Sequence, residues 1–226
     1  MTGTIVNVAA IFVGSILGLI LKKGINEKLK KTVMDGLALC VILIGISGAL
    51  KSSNTMLIII SIVIGGIIGE LIDIDLKLKK LGDKLEEKLS KSGSKFSEGF
   101  VTATLLFCVG SMAIVGSIEA GLTGNYKTLF AKSILDGISS IIFSSALGIG
   151  VMFSGVAVLI YQGSITLMSG LLAGILDQAM TAEITAVGSL LILGLGLNML
   201  NITKIKVANL LPAILIPLIY GIVQLI

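Results

Sequence analysis

Two Asp-Gly pairs, the only ones in the chain, each follow a lysine by one helical turn: Lys31-Thr-Val-Met-Asp35-Gly36 and Lys132-Ser-Ile-Leu-Asp136-Gly137. Both stand at the start of apolar stretches, and a charge at the centre of a membrane helix costs about 2.5–3.5 kcal/mol on insertion scales, so each needs a partner or a purpose. The lysine four residues back offers a local partner, and the positive end of the helix dipole adds to it. The functional alternative is that Asp35 and Asp136 flank one polar site. Glu70 lies inside a third apolar stretch, about one turn before Asp73. It is a candidate to coordinate a cation or carry a proton, against the plainer reading of an interface charge near Lys77. Neutral oxygens sit beside glycines: Asn7 with Gly14-Ser15 and Gly18, Gly110-Ser111, and Gly194-Leu-Gly196-Leu-Asn198. Glycine lets helices approach closely or break, while Ser and Asn supply ligands in hydrocarbon, so Asn7, Ser111 and Asn198 are candidate ligands. Tyr161 and Gln162 are gate candidates.

The elements that must position these residues are membrane helices. Of the 226 residues, 55% are apolar and 13% charged, where soluble domains carry roughly a quarter charged. The apolar residues come in runs of about 20, the length that spans a hydrocarbon core of about 30 Å. Eight runs fall at about 5–21, 33–50, 56–74, 99–118, 133–153, 158–177, 184–202 and 207–226. The turn between the fifth and sixth is expected near Ser154-Gly155, and one broken helix there would leave seven spans. If the loops after segments one, three and seven face the cytoplasm, they hold 14 of the 17 lysines, which puts both termini outside. The stretch from Lys77 to Lys91 carries a leucine stripe, Leu78, Leu81, Leu85 and Leu89, that suits an interfacial amphipathic helix.

The Lys-Asp-Gly string at the start of segments two and five has company. Gly66 to Asp73 in segment three matches Gly170 to Asp177 in segment six, and Val13-Gly14-Ser15 in segment one matches Val109-Gly110-Ser111 in segment four. The offset of three segments turns the second copy over, which makes a three-plus-three inverted repeat with two extra helices. The expected division is a first repeat over 1–75, a cytoplasmic lysine-rich linker over 76–97, the inverted repeat over 98–178 and two C-terminal spans over 179–226.

Several classes fall away. The basic residues are all lysine and aromatics make up 4%, which suits neither the arginine forks nor the stacking of nucleic-acid readers. Histidine is absent, and Cys40 and Cys108 stand alone in apolar runs, read as small core residues rather than disulfide or metal ligands. No nucleotide loop and no nucleophile or metal constellation points to an enzyme, and no cofactor is expected.

The strings Gly99-Phe100-Val101, Leu106 to Ser111, Gly121 to Gly124, Lys132 to Gly137, Tyr161-Gln162-Gly163 and Asn209-Leu-Leu-Pro212 resemble the bacterial membrane family carried as domain of unknown function 554 (DUF554). The resemblance covers nearly the whole chain and implies a bacterial inner-membrane protein in which transport is the expected role. The reading is therefore an all-α polytopic membrane protein acting as a secondary transporter of a small solute or cation. The alternatives are a passive ion channel built as a homodimer, and a membrane scaffold that transports nothing.

Overall fold

The structure is a computed structural model that describes residues 1–22, 27–80, 96–172 and 176–224. The described residues contain helices and no strands: α1 (Thr2–Lys22), α2 (Glu27–Ala49), α3 (Thr55–Ile72), α4 (Phe96–Cys108), α5 (Ser111–Thr123), α6 (Lys127–Leu147), α7 (Gly150–Leu167), α8 (Ser169–Leu172), α9 (Gln178–Met199), a 3-10 helix (Val207–Leu215) and α10 (Ile216–Gln224). Helices are expected because hydrocarbon offers no partner to a free backbone amide, so each must be satisfied within its own segment. α1, α3, α6, α7 and α9 are long and apolar enough to cross a membrane, and α4 with α5, bent by 57°, make a sixth candidate. Met34–Ala49 and Val207–Val223 are shorter apolar helices. Residues 74–80 are helical as well, whereas most of the expected amphipathic stretch, including Leu81, Leu85 and Leu89, lies outside the described residues.

Two boundaries differ from those expected. The break between segments five and six falls at Gly148, whose φ of 86° ends α6, in the left-handed region that glycine adopts at little cost. Ser154 and Gly155 instead lie inside α7. The Ser154 hydroxyl donates to the Val151 carbonyl at 2.6 Å, and Gly155 packs under Phe12 of α1. Segment four, expected as one helix, is broken at Gly110, which is extended (φ −175°, ψ 143°) and starts α5 without a side-chain cap.

By contact the chain forms two compact units, Met1–Lys30 with Lys79–Ala173, and Lys31–Leu78 with Gly174–Ile226. The first holds α1 and α4 to α8, the second α2, α3, α9, the 3-10 helix and α10. The units therefore interleave the two halves read from the sequence.

In the first unit α1 lies along α6 in the same direction. Gly3 meets Leu129, and a methyl group at Gly14 or Gly18 would overlap the carbonyl oxygen of Gly137 or Ile141. α4 and α5 run in the direction of α7, with Phe96 against Gly150 and Gly121 against Thr166. α7 runs against α1, since Gly155 meets Phe12 while Gly163 meets Met1.

In the second unit α2 runs against α9, with Gly196 on Ile42 and Gly45 on Leu193. α3 runs against the 3-10 helix, with Gly65 on Ala213 and Gly69 on Asn209. Its apolar core joins Ile58, Ala186, Val187 and Ala213.

Candidate functional site

Lys132 and Asp136 are one turn apart on the α6 face that packs against α1, and the side chains of this ion pair are only 7% and 8% exposed. The Lys132 ammonium donates to Asp136 Oδ1 at 2.9 Å and Oδ2 at 2.7 Å. From α1, Asn7 Nδ2 donates to the same Oδ2 at 2.9 Å and to Gln162 Oε1 of α7 at 3.3 Å. A carboxylate accepts only, so it fixes the orientation of the Asn7 amide and turns the Asn7 oxygen elsewhere. Asn7 Oδ1 and Gln162 Nε2 are buried and have no hydrogen-bond partner. Three helices thus converge on a buried ion pair that offers one spare acceptor and one spare donor. The α4–α5 break is close by: Cys108, the last residue of α4, is within electrostatic reach of Lys132 and Asp136, and half-buried Tyr161 is within reach of Cys108.

Carboxylates elsewhere tie helix ends. In the second unit Glu70 accepts from Lys206 and from Asn209 Nδ2, both at 2.6 Å. Asn209 Oδ1 accepts from the Asp75 backbone at 2.7 Å, which pins the end of α3 to the 3-10 helix. Glu70 and Lys206 are more than half exposed, and the hydrogen bond that the Lys206 ammonium donates to the Glu70 carboxylate holds it above its ordinary pKa of 10.5. Glu183 on α9 is 6% exposed and accepts from Ser52 Oγ at 2.5 Å and Ser53 N at 3.1 Å, closing the α2–α3 turn. In the first unit Glu119 accepts from Asn125 at 2.5 Å and Thr128 at 2.8 Å across the α5–α6 turn. Asp177 caps α9 through the Met180 amide at 2.7 Å.

Of the residues singled out from sequence, Asn7, Asp136 and Gln162 come together, with Tyr161 beside them. Gln162 and Tyr161 were expected at the start of a span; because the chain breaks at Gly148, they lie deep in α7 instead. Asp35 is exposed on α2 in the second unit, and Glu70 is paired with Lys206 rather than near Lys77. Asn198 staples the turn after α9, accepting from Thr203 and from the Ile205 amide. The side chain of Ser111 lies outside those described. Cys108 is buried as expected, whereas Cys40 is exposed on α2. Sequence reasoning passed over Glu183, although a charge inside an apolar run was its signal, and Asn209, which stood out only as part of a motif. Among the described residues no group of three or more His, Cys, Asp or Glu side chains is placed to hold a metal.

Several apolar helices of membrane-crossing length, arranged around buried polar groups, define a polytopic helical membrane protein. The chain belongs to the family described as Protein of unknown function (DUF554), whose profile matches residues 2–222. It is 39% identical over 221 residues to the "Uncharacterized membrane protein YdfK" of Bacillus subtilis (strain 168), covering 96% of this chain and 94% of that protein. It is 29% identical over 219 residues to the "Uncharacterized protein YqgA" of Escherichia coli (strain K12), covering 95% and 93%. No solved structure matches the chain.

Proposed function

We propose that the protein is a secondary transporter that carries a small solute or ion across the bacterial inner membrane, with Asn7, Lys132, Asp136 and Gln162 as its binding site. The observation that carries this reading is the buried ion pair bridged to two further helices, with Asn7 Oδ1 and Gln162 Nε2 left without partners. A pair serving stability alone gains little, because burial costs about as much as the attraction returns. A broken helix supports it: α4–α5 opens at Gly110 in the first unit. Interrupted spans near the midplane are where transporters bring backbone groups to a ligand.

The inverted repeat of segments one to three on four to six belongs to the same proposal, supported by the order and spacing of the Lys, Asp, Gly and Ser positions. So do eight crossings with both termini outside, supported by the lysine bias and by helix directions within each unit. Since Asp35 is exposed and Asp136 buried, we assign the site to Asp136 alone.

The test is a solid-supported membrane recording on the purified chain in liposomes, with concentration jumps of small amino acids, organic anions and inorganic ions. A saturable transient current, lost in Asn7→Ala and Gln162→Ala, is expected. Discrete single-channel openings in a planar bilayer would overturn the carrier.

A further inference from the structure

Among the described residues, the ten buried side-chain N and O atoms without a partner all lie in the first unit, and several of them line up. On α6, Ser140 and Ser144 continue the face of Lys132 and Asp136 at intervals of four. On α1, Thr4 precedes Asn7 by about one turn and Ser15 follows it by about two; on α7, Thr166 follows Gln162 by one. Because α1 and α6 run together and α7 runs against them, Thr4 and Thr166 fall on one side of the ion pair. Ser15, Ser140 and Ser144 fall on the other. Thr4, Asn7, Ser15, Ser140, Ser144 and Gln162 are all 0% exposed. Gly14 and Gly18 bring α1 against the Cβ atoms of Ser140 and Ser144. From Lys132 to Ser144 the column covers about 18 Å of helix rise, more than half of a hydrocarbon core of about 30 Å.

A hydroxyl in a membrane helix has an easy partner in a carbonyl of the preceding turn. Ser61, Ser133 and Thr185 take it, donating to Leu57, Leu129 and Thr181 at 2.6, 2.7 and 2.7 Å. The column hydroxyls do not, and so keep both a donor and an acceptor for a passing group.

We propose that this column is a proton path with Asp136 as its proton carrier, so that the proton is the coupling ion of the transporter. What the proton drives rests on the carrier reading above; the proton site does not. A hydronium arriving along the hydroxyls gives its proton to Asp136, leaving water and a neutral carboxyl. Lys132 thereby loses its counter-charge, so its next partner is a negative group on the solute. The groups around Asp136 favour a proton over a metal cation. Lys132 occupies both carboxylate oxygens, and a sodium ion there would face its positive charge, whereas a proton simply neutralises the acid. The other titratable neighbours are the Cys108 thiol and the Tyr161 phenol, neither of which carries a positive charge in any protonation state.

The test is infrared difference spectroscopy of the full chain in liposomes as the buffer is acidified. A carboxylic-acid C=O band is expected to grow, to shift in heavy water, to vanish in Asp136→Asn and to move in Asp136→Glu. The Glu variant keeps the acid if the Asn variant fails to fold. Ser140→Ala with Ser144→Ala should leave the final band unchanged but slow its rise after a pH jump several-fold, while Ser145→Ala, whose hydroxyl is exposed and already bonded to Ile142, should not. An unchanged band in Asp136→Asn, an unslowed rise in the double serine variant, or loss of the band on adding sodium chloride at fixed pH would each overturn the proposal. A band without solute current would remove only the carrier; solute current indifferent to pH and without the band would remove only the proton path.

Discussion

Replacing Lys132 with Met keeps the length of the side chain and removes its charge, which isolates what the ion pair does. In the native structure Asp136 accepts three hydrogen bonds, two from Lys132 and one from Asn7. Lys132→Met removes two of the three and leaves a carboxylate whose side chain is 8% exposed with one neutral donor. Breaking a buried pair this way costs about 3–5 kcal/mol, roughly two to four orders of magnitude in the folding equilibrium. Lys132→Met combined with Asp136→Asn removes both charges at similar volume, and should recover most of that loss, because what is costly is the uncompensated charge rather than the missing attraction. Equilibrium unfolding in detergent micelles, titrated with sodium dodecyl sulfate and followed by circular dichroism, measures both variants. A loss below about 1 kcal/mol for Lys132→Met is the scale of a solvated pair, and would refute the assignment of a desolvated site. A double variant no more stable than the single would refute the origin given for the cost.

Gly14→Ala places a methyl group on the Gly137 carbonyl oxygen and should cost about 1–3 kcal/mol by overpacking, whereas Gly36→Ala, which meets nothing within 4 Å among the described residues, should be neutral or slightly stabilising; thermal unfolding of the two compares them. The raised Lys206 value gives stability that is fully present at neutral pH and is lost as pH rises through that value, above 10.5; Glu70→Gln should move the Lys206 titration down, read by NMR of labelled lysine. Single cysteines at Lys51 and Lys127 should react with an impermeant maleimide from outside intact cells and one at Lys204 should not; labelling of the Lys204 position from outside would break the eight-crossing arrangement.

The apolar segments were legible because hydrocarbon imposes one rule on every backbone amide, and the runs of about 20 residues record it. The helix ends were less so. Ser154-Gly155 is a stronger turn signal by composition than Gly148, yet the Ser154 hydroxyl satisfies itself within the helix and Gly155 is used for packing against α1. The site was half legible. Asn7 and Asp136 stood out as polar residues in apolar runs, but Asp35 carries the same local string as Asp136 and is exposed. The difference is made at Gly137, which meets Ala10 of α1, whereas Gly36, the glycine after Asp35, meets nothing within 4 Å among the described residues. Burial of the acid is decided by the helix that closes over it, and a string of six residues does not record its neighbour.

Helix direction supports the number of crossings independently of the lysines. Neighbouring spans that run the same way are separated by an odd number of crossings, and those that run opposite ways by an even number. α1 and α6 run together, and between them the chain passes through α2, α3 and the bent pair α4–α5. If α2 and α3 each cross, the bent pair is the third crossing rather than a loop returning to its own side. The second unit obeys the same arithmetic through different helices: α3 opposes the 3-10 helix, with α4–α5, α6, α7 and α9 lying between them in the chain. Taking α4–α5 as a returning loop would reverse the expected direction in both units, while the close approaches of Gly14 to Gly137 and of Gly65 to Ala213 fix those directions residue by residue. On that count the break at Gly110 falls within a span, and Cys108, the last residue of α4, is within electrostatic reach of Lys132 and Asp136.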